Sequence, residues 1–66
     1  MNITVNGQPK IVENNTTISQ LIEQLEMNPK YLAVEVNKKL ITRSKHTGHD
    51  LADGDNVEIV TLVGGG

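Results

Sequence analysis

The chain contains no cysteine, and in a protein of 66 residues this limits the possible folds more than any other feature. Small domains commonly reinforce a thin apolar core with disulfides or with a thiolate-bound metal, and both are excluded here. Nucleophilic chemistry by a thiol is excluded for the same reason. We therefore expect one compact domain that is held together by regular secondary structure around a small core.

Charge and aromatic content argue against two classes of partner. The net charge is −2, whereas nucleic-acid binding relies on clustered lysine and arginine. Tyr31 is the only aromatic residue, so the chain has no stacking platform for bases. No apolar run approaches the roughly 20 residues of a membrane span, and no signal peptide is evident. We expect a cytoplasmic protein that is a monomer when free.

The first half of the sequence predicts a hairpin followed by a helix. Residues 1–6 alternate between apolar and polar, as in a half-buried strand, and Asn6-Gly7 favours a tight turn. A return strand is expected near residues 10–13, with Pro9 at a sheet edge. Thr17 and Gln20 have the spacing of a capping box, and apolar residues then recur on one helical face until Pro29 requires the helix to stop by residue 28.

The second half predicts three strands around a polar loop. Strands are expected at 33–36, 40–41 and 57–63, with Leu51 filling the core from the irregular segment that precedes the last strand. This order is typical of an α+β fold, the β-grasp or ubiquitin-like arrangement, in which a mixed sheet packs on one main helix. Its first and last strands lie side by side at the centre. We predict a domain over residues 1–63 and a flexible glycine tail over 64–66.

Side chains that could form a conventional site are weakly placed. His46, His49 and Asp50 lie close together in a polar loop, but structural zinc normally requires four protein ligands. Acidic residues surround the turn before the last strand, where carboxylates commonly stabilise the turn itself. We predict that both histidines are solvated, that no metal is bound, and that the chain has no active site of its own.

The three terminal glycines suggest a different kind of site. Gly64, Gly65 and Gly66 have no side chains to bury, and together they form a thin thread ending in a carboxylate. Such a thread can enter a narrow channel and present the Gly66 carboxyl group to another protein, provided that the carboxyl is first activated, for instance as an acyl-adenylate. The alternative is a frayed terminus without function.

The last strand also predicts a docking surface. If Val57, Ile59, Thr61 and Val63 point towards the helix, Val60 and Leu62 point away from it and lie uncovered near the tail. Exposed apolar surface of this kind often marks a partner site. The alternative is that loops cover both side chains.

Four segments carry a resemblance to a known family. The segments MNITVNGQP and TTISQLIEQL, and more specifically AVEVNKKLITRS and DGDNVEIVTLVGGG, resemble the bacterial ThiS family, the sulfur carriers of thiamin thiazole biosynthesis. The chain departs from the family at Lys38, where a glycine is expected, and at His46, where an aromatic or bulky apolar residue is common.

The resemblance implies a cycle in which the chain is a co-substrate and not an enzyme. An E1-like adenylyltransferase of the ThiF type uses ATP-Mg to adenylate Gly66, and the chain itself binds no cofactor. Sulfur derived from cysteine through a desulfurase persulfide then displaces AMP and leaves a thiocarboxylate. Thiazole synthase of the ThiG type accepts that sulfur. Gly65 and Gly66 correspond to the family's terminal pair, and Gly64 extends the thread.

Three other functions are compatible with the same fold and tail. A small subunit of molybdopterin synthase uses the same activation chemistry with another partner. A protein modifier would be joined through Gly66 to target lysines. A passive ubiquitin-like interaction module would leave the tail unmodified.

Overall fold

The computed structural model describes residues 1–62, and these form a five-stranded sheet, one α-helix and two short 3-10 turns. Val63 and the three glycines lie outside the described residues, so the predicted tail, the boundary at residue 63 and the inward direction of Val63 stay predictions. In chain order the elements are β1 Asn2–Val5, β2 Gln8–Ile11, α1 Ile18–Gln24, a 3-10 turn Pro29–Tyr31, β3 Leu32–Val36, β4 Lys39–Ile41, a 3-10 turn Arg43–Lys45 and β5 Asn56–Thr61.

The strand order is β2-β1-β5-β3-β4. Strand β5 runs parallel to β1 and antiparallel to β3, and the two remaining pairs are antiparallel. The first and last strands are therefore neighbours at the centre of the sheet. This topology confirms the predicted β-grasp arrangement, and it confirms Pro9 as part of an edge strand, where the missing N–H is tolerated.

The core lies between α1 and one face of the sheet. Each fully buried aliphatic side chain contributes about 1.5–3 kcal/mol relative to an exposed one. Leu51 is buried, as predicted for a residue that fills the core from an otherwise polar segment. The buried apolar residues are Ile3, Val5, Val12, Ile18, Leu21, Ile22, Leu32, Val34, Val36, Leu51, Val57 and Ile59.

Helix α1 begins at the predicted capping box. The Thr17 hydroxyl accepts a hydrogen bond from the Gln20 N–H at 3.1 Å, and the Gln20 side chain accepts one from the Thr17 N–H at 2.9 Å. The loop after β4 supplies two further acceptors. The Ile18 and Ser19 N–H groups donate to the carbonyls of His49 and His46, each at 3.1 Å. The first amides of the helix are thus satisfied by a distant segment.

The helix ends four residues before Asn28, which is earlier than Pro29 requires. Glu26 has a positive φ of 56°, its N–H donates to the Glu23 carbonyl, and the Met27 N–H donates to the Ile22 carbonyl. These bonds form a Schellman motif, which satisfies the last carbonyls of a helix and usually has glycine at the left-handed position. A glutamate at that position is not a recognisable stop signal, so the sequence pattern missed this end.

Both hairpins turn through two residues with positive φ. Asn6 and Gly7 have φ of 49° and 81°, and β2 consequently begins at Gln8, two residues earlier than predicted. Asn37 and Lys38 have φ of 53° and 68° between the paired residues Val36 and Lys39. Both have the dihedral signs of a type I′ turn, which matches the twist of the strands. Lys38 therefore occupies a position that favours glycine.

No helix within residues 1–62 is long and apolar enough to cross a membrane.

Replacing Lys38 with glycine should raise the free energy of unfolding by about 0.5–1 kcal/mol, because the left-handed conformation is strained for a lysine. Urea unfolding of both proteins measures the change. Lys39→Gly is the matched control: Lys39 lies in β4, where glycine should lower the stability by about 0.5–1 kcal/mol. If the two substitutions changed the free energy of unfolding equally, the backbone at Lys38 would not be strained.

Candidate functional site

The candidate site begins on the outer face of β5, the face turned away from α1. Val60 and Leu62 are 52% and 63% exposed, so the prediction that no loop covers them is confirmed. Thr61 is also exposed, although strand alternation places it on the helix side. Its position opposite the buried Leu32 confirms the predicted direction of Thr61, and the side chain is exposed because the buried part of β5 ends at Ile59.

The strand register defines the neighbours of these residues on the outer face. Val60 lies opposite Ala33 of β3, and Glu58 lies opposite Glu35. Glu35 in turn lies opposite Leu40 of β4, which is 61% exposed. The outer face of β5, β3 and β4 thus combines exposed apolar side chains with two carboxylates.

Asn6 fixes the course of β5 towards the tail. Its N–H donates to the Val57 carbonyl at 2.9 Å. Its side-chain Oδ1 accepts from the Ile59 N–H at 2.7 Å, and its Nδ2 donates to the Ile59 carbonyl at 3.3 Å. The Asn6 side chain therefore pairs with β5 beyond the point where β1 turns away.

The opposite edge of β5 is held by β3 and the residue that precedes it. The Leu62 N–H donates to the Tyr31 carbonyl at 2.7 Å, one residue beyond the end of β5. Hydrogen bonds therefore hold the backbone of this segment on both edges as far as Ile59 and on one edge as far as Leu62. The predicted site residues Gly64, Gly65 and Gly66 follow directly but lie outside the described residues.

The acidic residues before β5 stabilise turns. The Asp55 carboxylate accepts hydrogen bonds from the Ala52 N–H at 2.8 Å and the Asn37 side chain at 3.0 Å. Asp53 accepts from the Asn2 N–H at 2.6 Å. These bonds anchor the start of β5, in agreement with the predicted turn role.

His46 is buried, and the prediction that it is solvated was wrong. It is 2% exposed, and its Nε2 lies 2.9 Å from the Ile41 carbonyl oxygen. Since a carbonyl only accepts, the ring donates from Nε2, and the buried Nδ1 has no hydrogen-bond partner within residues 1–62. His49 is half-buried. Within the described part of the chain, no three histidine or acidic side chains converge on a point where they could hold a metal.

The core role of His46 had one sequence signal, since the ThiS family often has an aromatic or bulky apolar residue at this position. The outer-face pairing of Glu35 with Glu58 had none, because it depends on the register between two strands that are distant in sequence.

Comparison with known proteins gives a consistent result. The model of the ThiS family matches residues 3–66. The crystal structure of the thiamine biosynthesis protein ThiS from Geobacter metallireducens is 33% identical, covers the whole of both chains and superposes with a TM-score of 0.83. The sulfur carrier protein ThiS of Bacillus subtilis is 34% identical over 97% of this chain and 98% of its own length.

A second kind of relative is much longer. The thiazole synthase of Magnetococcus marinus is 36% identical over the whole of this chain, which spans only 20% of that protein. The same fraction holds for a second relative named thiazole synthase. In such proteins a segment similar to this chain belongs to a larger polypeptide.

Removing the Asn6 side chain should loosen β5 near the tail. Asn6→Gly keeps the positive φ but loses both side-chain bonds to Ile59, and should lower the free energy of unfolding by about 1–2 kcal/mol. Hydrogen exchange at the Ile59 amide should accelerate correspondingly. The control is Asn15→Gly, because Asn15 also has a positive φ, of 67°, and makes no side-chain hydrogen bond within residues 1–62. Unchanged exchange at Ile59 would show that Asn6 does not hold β5.

The two histidines should respond differently to substitution. His46→Ala opens a cavity in the core and should lower the free energy of unfolding by about 2–4 kcal/mol. His49→Ala should change it by less than about 1 kcal/mol. Thermal unfolding with and without added zinc completes the test. A zinc-dependent rise in the melting temperature that either substitution removes would instead indicate a metal site.

Proposed function

This chain belongs to the ThiS family, and on that premise we propose that the sulfur it carries is bound at the carboxyl group of Gly66. Members of this family are sulfur carriers of thiamin biosynthesis, so the chain is a carrier and not an enzyme. The observation that carries the proposal is the junction of a well-held central strand with three glycines. The family match also favours the thiamin pathway over molybdopterin synthesis.

The chemistry must begin with activation, because a carboxylate does not react with nucleophiles. An E1-like adenylyltransferase would join the Gly66 carboxylate to AMP from ATP-Mg and release pyrophosphate. The terminal sulfur of a persulfide, formed from cysteine by a desulfurase, would then attack the acyl carbon and expel AMP. A thiol of the partner enzyme would cleave the resulting sulfur–sulfur bond and leave a thiocarboxylate on Gly66. The ATP-Mg requirement agrees with a cytoplasmic location.

The composition of the chain supports the terminal carboxyl as the site of sulfur. With no cysteine, the chain has no thiol on which to form a persulfide of its own. A polypeptide terminus of three glycines offers no Cβ atoms, and it therefore fits a narrow channel leading to a partner's catalytic centre. Gly64 and Gly65 would serve as the thread, and Gly66 as the reacting residue.

A thiazole synthase is the partner that the comparisons support for the second half of the cycle. Relatives carrying that name contain a segment similar to this entire chain. The adenylyltransferase and the desulfurase are part of the proposal through the chemistry that each step requires. Val60 and Leu62, exposed just before the tail, are the residues that we propose to contact these partners.

Intact-protein mass spectrometry tests the role of Gly66. The chain is incubated with the adenylyltransferase of the same organism, ATP, magnesium, a cysteine desulfurase and cysteine. We expect a mass gain equal to the replacement of one carboxyl oxygen by sulfur. Deletion of Gly66, or addition of one alanine after it, should abolish the gain while leaving the melting temperature unchanged.

The outcome separates the carrier from the alternatives. Unchanged sulfur loading of the extended protein would contradict the proposal. If the wild-type chain forms no adenylate with an enzyme that is active on another carrier, the chain is a passive interaction module. Attachment to a lysine of another protein, detected as a mass increase that hydroxylamine does not release, would indicate a modifier.

A further inference from the structure

Two glutamates face each other at the centre of the outer face. Glu35 of β3 and Glu58 of β5 are directly opposite in the antiparallel register. Side chains in this relation have Cβ atoms about 4.5–5.5 Å apart, and like charges there are destabilising. Glu58 is exposed and Glu35 is half-buried. The free protein thus contains an unfavourable pair at a position where its own fold does not require carboxylates.

The sheet offers no positive charge to this pair. The two lysines within strands, Lys10 and Lys39, lie opposite the buried residues Ile3 and Val36, which places them on the helix side. By the same register, the strand residues on the outer face within residues 2–61 include two glutamates and no lysine or arginine. Its residues are Asn2, Thr4, Pro9, Ile11, Ala33, Glu35, Leu40, Asn56, Glu58 and Val60.

Apolar side chains flank the glutamates. Leu40 lies opposite Glu35 on the far side from Glu58, and Val60 lies one pair along β5, opposite Ala33. Leu40 and Val60 are both more than half exposed. Exposed apolar side chains of this kind often mark a partner site, and arginine is among the residues that most often carry binding energy at an interface. The two carboxylates between these side chains are complementary to a positive charge on the partner.

We propose that this face docks on a basic surface of thiazole synthase, with one arginine of the synthase bridging Glu35 and Glu58 and apolar side chains covering Val60 and Leu40. The inference rests on the proposed function. An arginine suits the pair because its planar guanidinium has five N–H donors and can reach two carboxylates, whereas a lysine acts as a single point charge. The arginine neutralises a repulsion that already exists in the free carrier, which favours the complex.

The pair lies close enough to the tail for a partner docked on this face to receive the Gly66 carboxyl group. Glu58, Val60 and Leu62 follow one another along the outer side of one chain segment, and Gly66 lies four residues beyond Leu62. Four extended residues span at most about 13–14 Å, so a partner on this face has its catalytic centre within that distance of Leu62. The comparisons favour the synthase as this partner, because the thiazole synthase of Magnetococcus marinus contains a segment similar to this entire chain.

Isothermal titration calorimetry of the full-length thiocarboxylated carrier with the thiazole synthase of the same organism tests the inference. Glu35→Gln and Glu58→Gln should each weaken binding by about tenfold, and the double substitution should flatten its dependence on sodium chloride. The same double variant should melt about 2–4 °C higher than the wild type, because the repulsion is removed. Val60→Ala should weaken binding without changing the salt dependence.

Glu23→Gln is the matched control. Glu23 is exposed on α1, away from the outer face, and its substitution changes the net charge by the same amount as each single variant. Equal binding of the wild type and the double variant would overturn the inference while leaving the carrier role intact. An effect on adenylation alone, with synthase binding unchanged, would also overturn it. A wild-type chain that cannot be thiocarboxylated would contradict the proposed function itself. Thiocarboxylation of the wild type is therefore measured before any variant is compared.

Discussion

The parallel pairing of β1 with β5 is the contact on which the rest of the structure depends. Without β5, the sheet would consist of two separate hairpins, β1–β2 and β3–β4. Strand β5 joins them through hydrogen bonds on both of its edges, and it places Val57 and Ile59 in the middle of the core. Within residues 1–62 the pairing of β1 with β5 comprises two residue pairs, and the Asn6 side chain extends the contact to Ile59.

The same strand separates the buried core from the exposed outer face. Its inward residues, Val57 and Ile59, are buried against the single helix, while Glu58 and Val60 point to a face without a helix. Because alternation along a strand is strict, substitutions on one side need not disturb the other. A small domain can thereby keep an intact core while the residues on its outer face change.

Local chemistry made much of this fold predictable. Asn6-Gly7 specifies a turn, Thr17 with Gln20 specifies a helix start, and alternation of apolar residues specifies which side of β5 is buried. The features that were missed depend on contacts between distant segments. His46 is buried because its loop folds against the helix N-terminus, and a polar residue in a polar segment gives no sign of this. The helix end at Gln24 was not foreseen because the left-handed residue that follows it is a glutamate, which is rare at such a position.

The proposed site at Gly66 was inferred from sequence alone, whereas the surface that precedes the tail could be described only from the structure. Three glycines after an apolar strand predict the thread, but the neighbours of Val60 depend on the register of β3 against β5. Composition likewise cannot reveal that Glu35 and Glu58, which are 23 positions apart in the chain (58 − 35), are paired across two strands.

The central position of β5 also determines how the domain responds to a mechanical load on its tail. A force applied at the end of β5, along the axis of the strand, acts on an element that is bonded to neighbours on both edges. The bonds to β1 and β3 are then sheared together and do not open one after another, as they would at an edge strand. Because both edges of β5 resist such a force together, the domain is expected to stay folded at loads that would detach an edge strand.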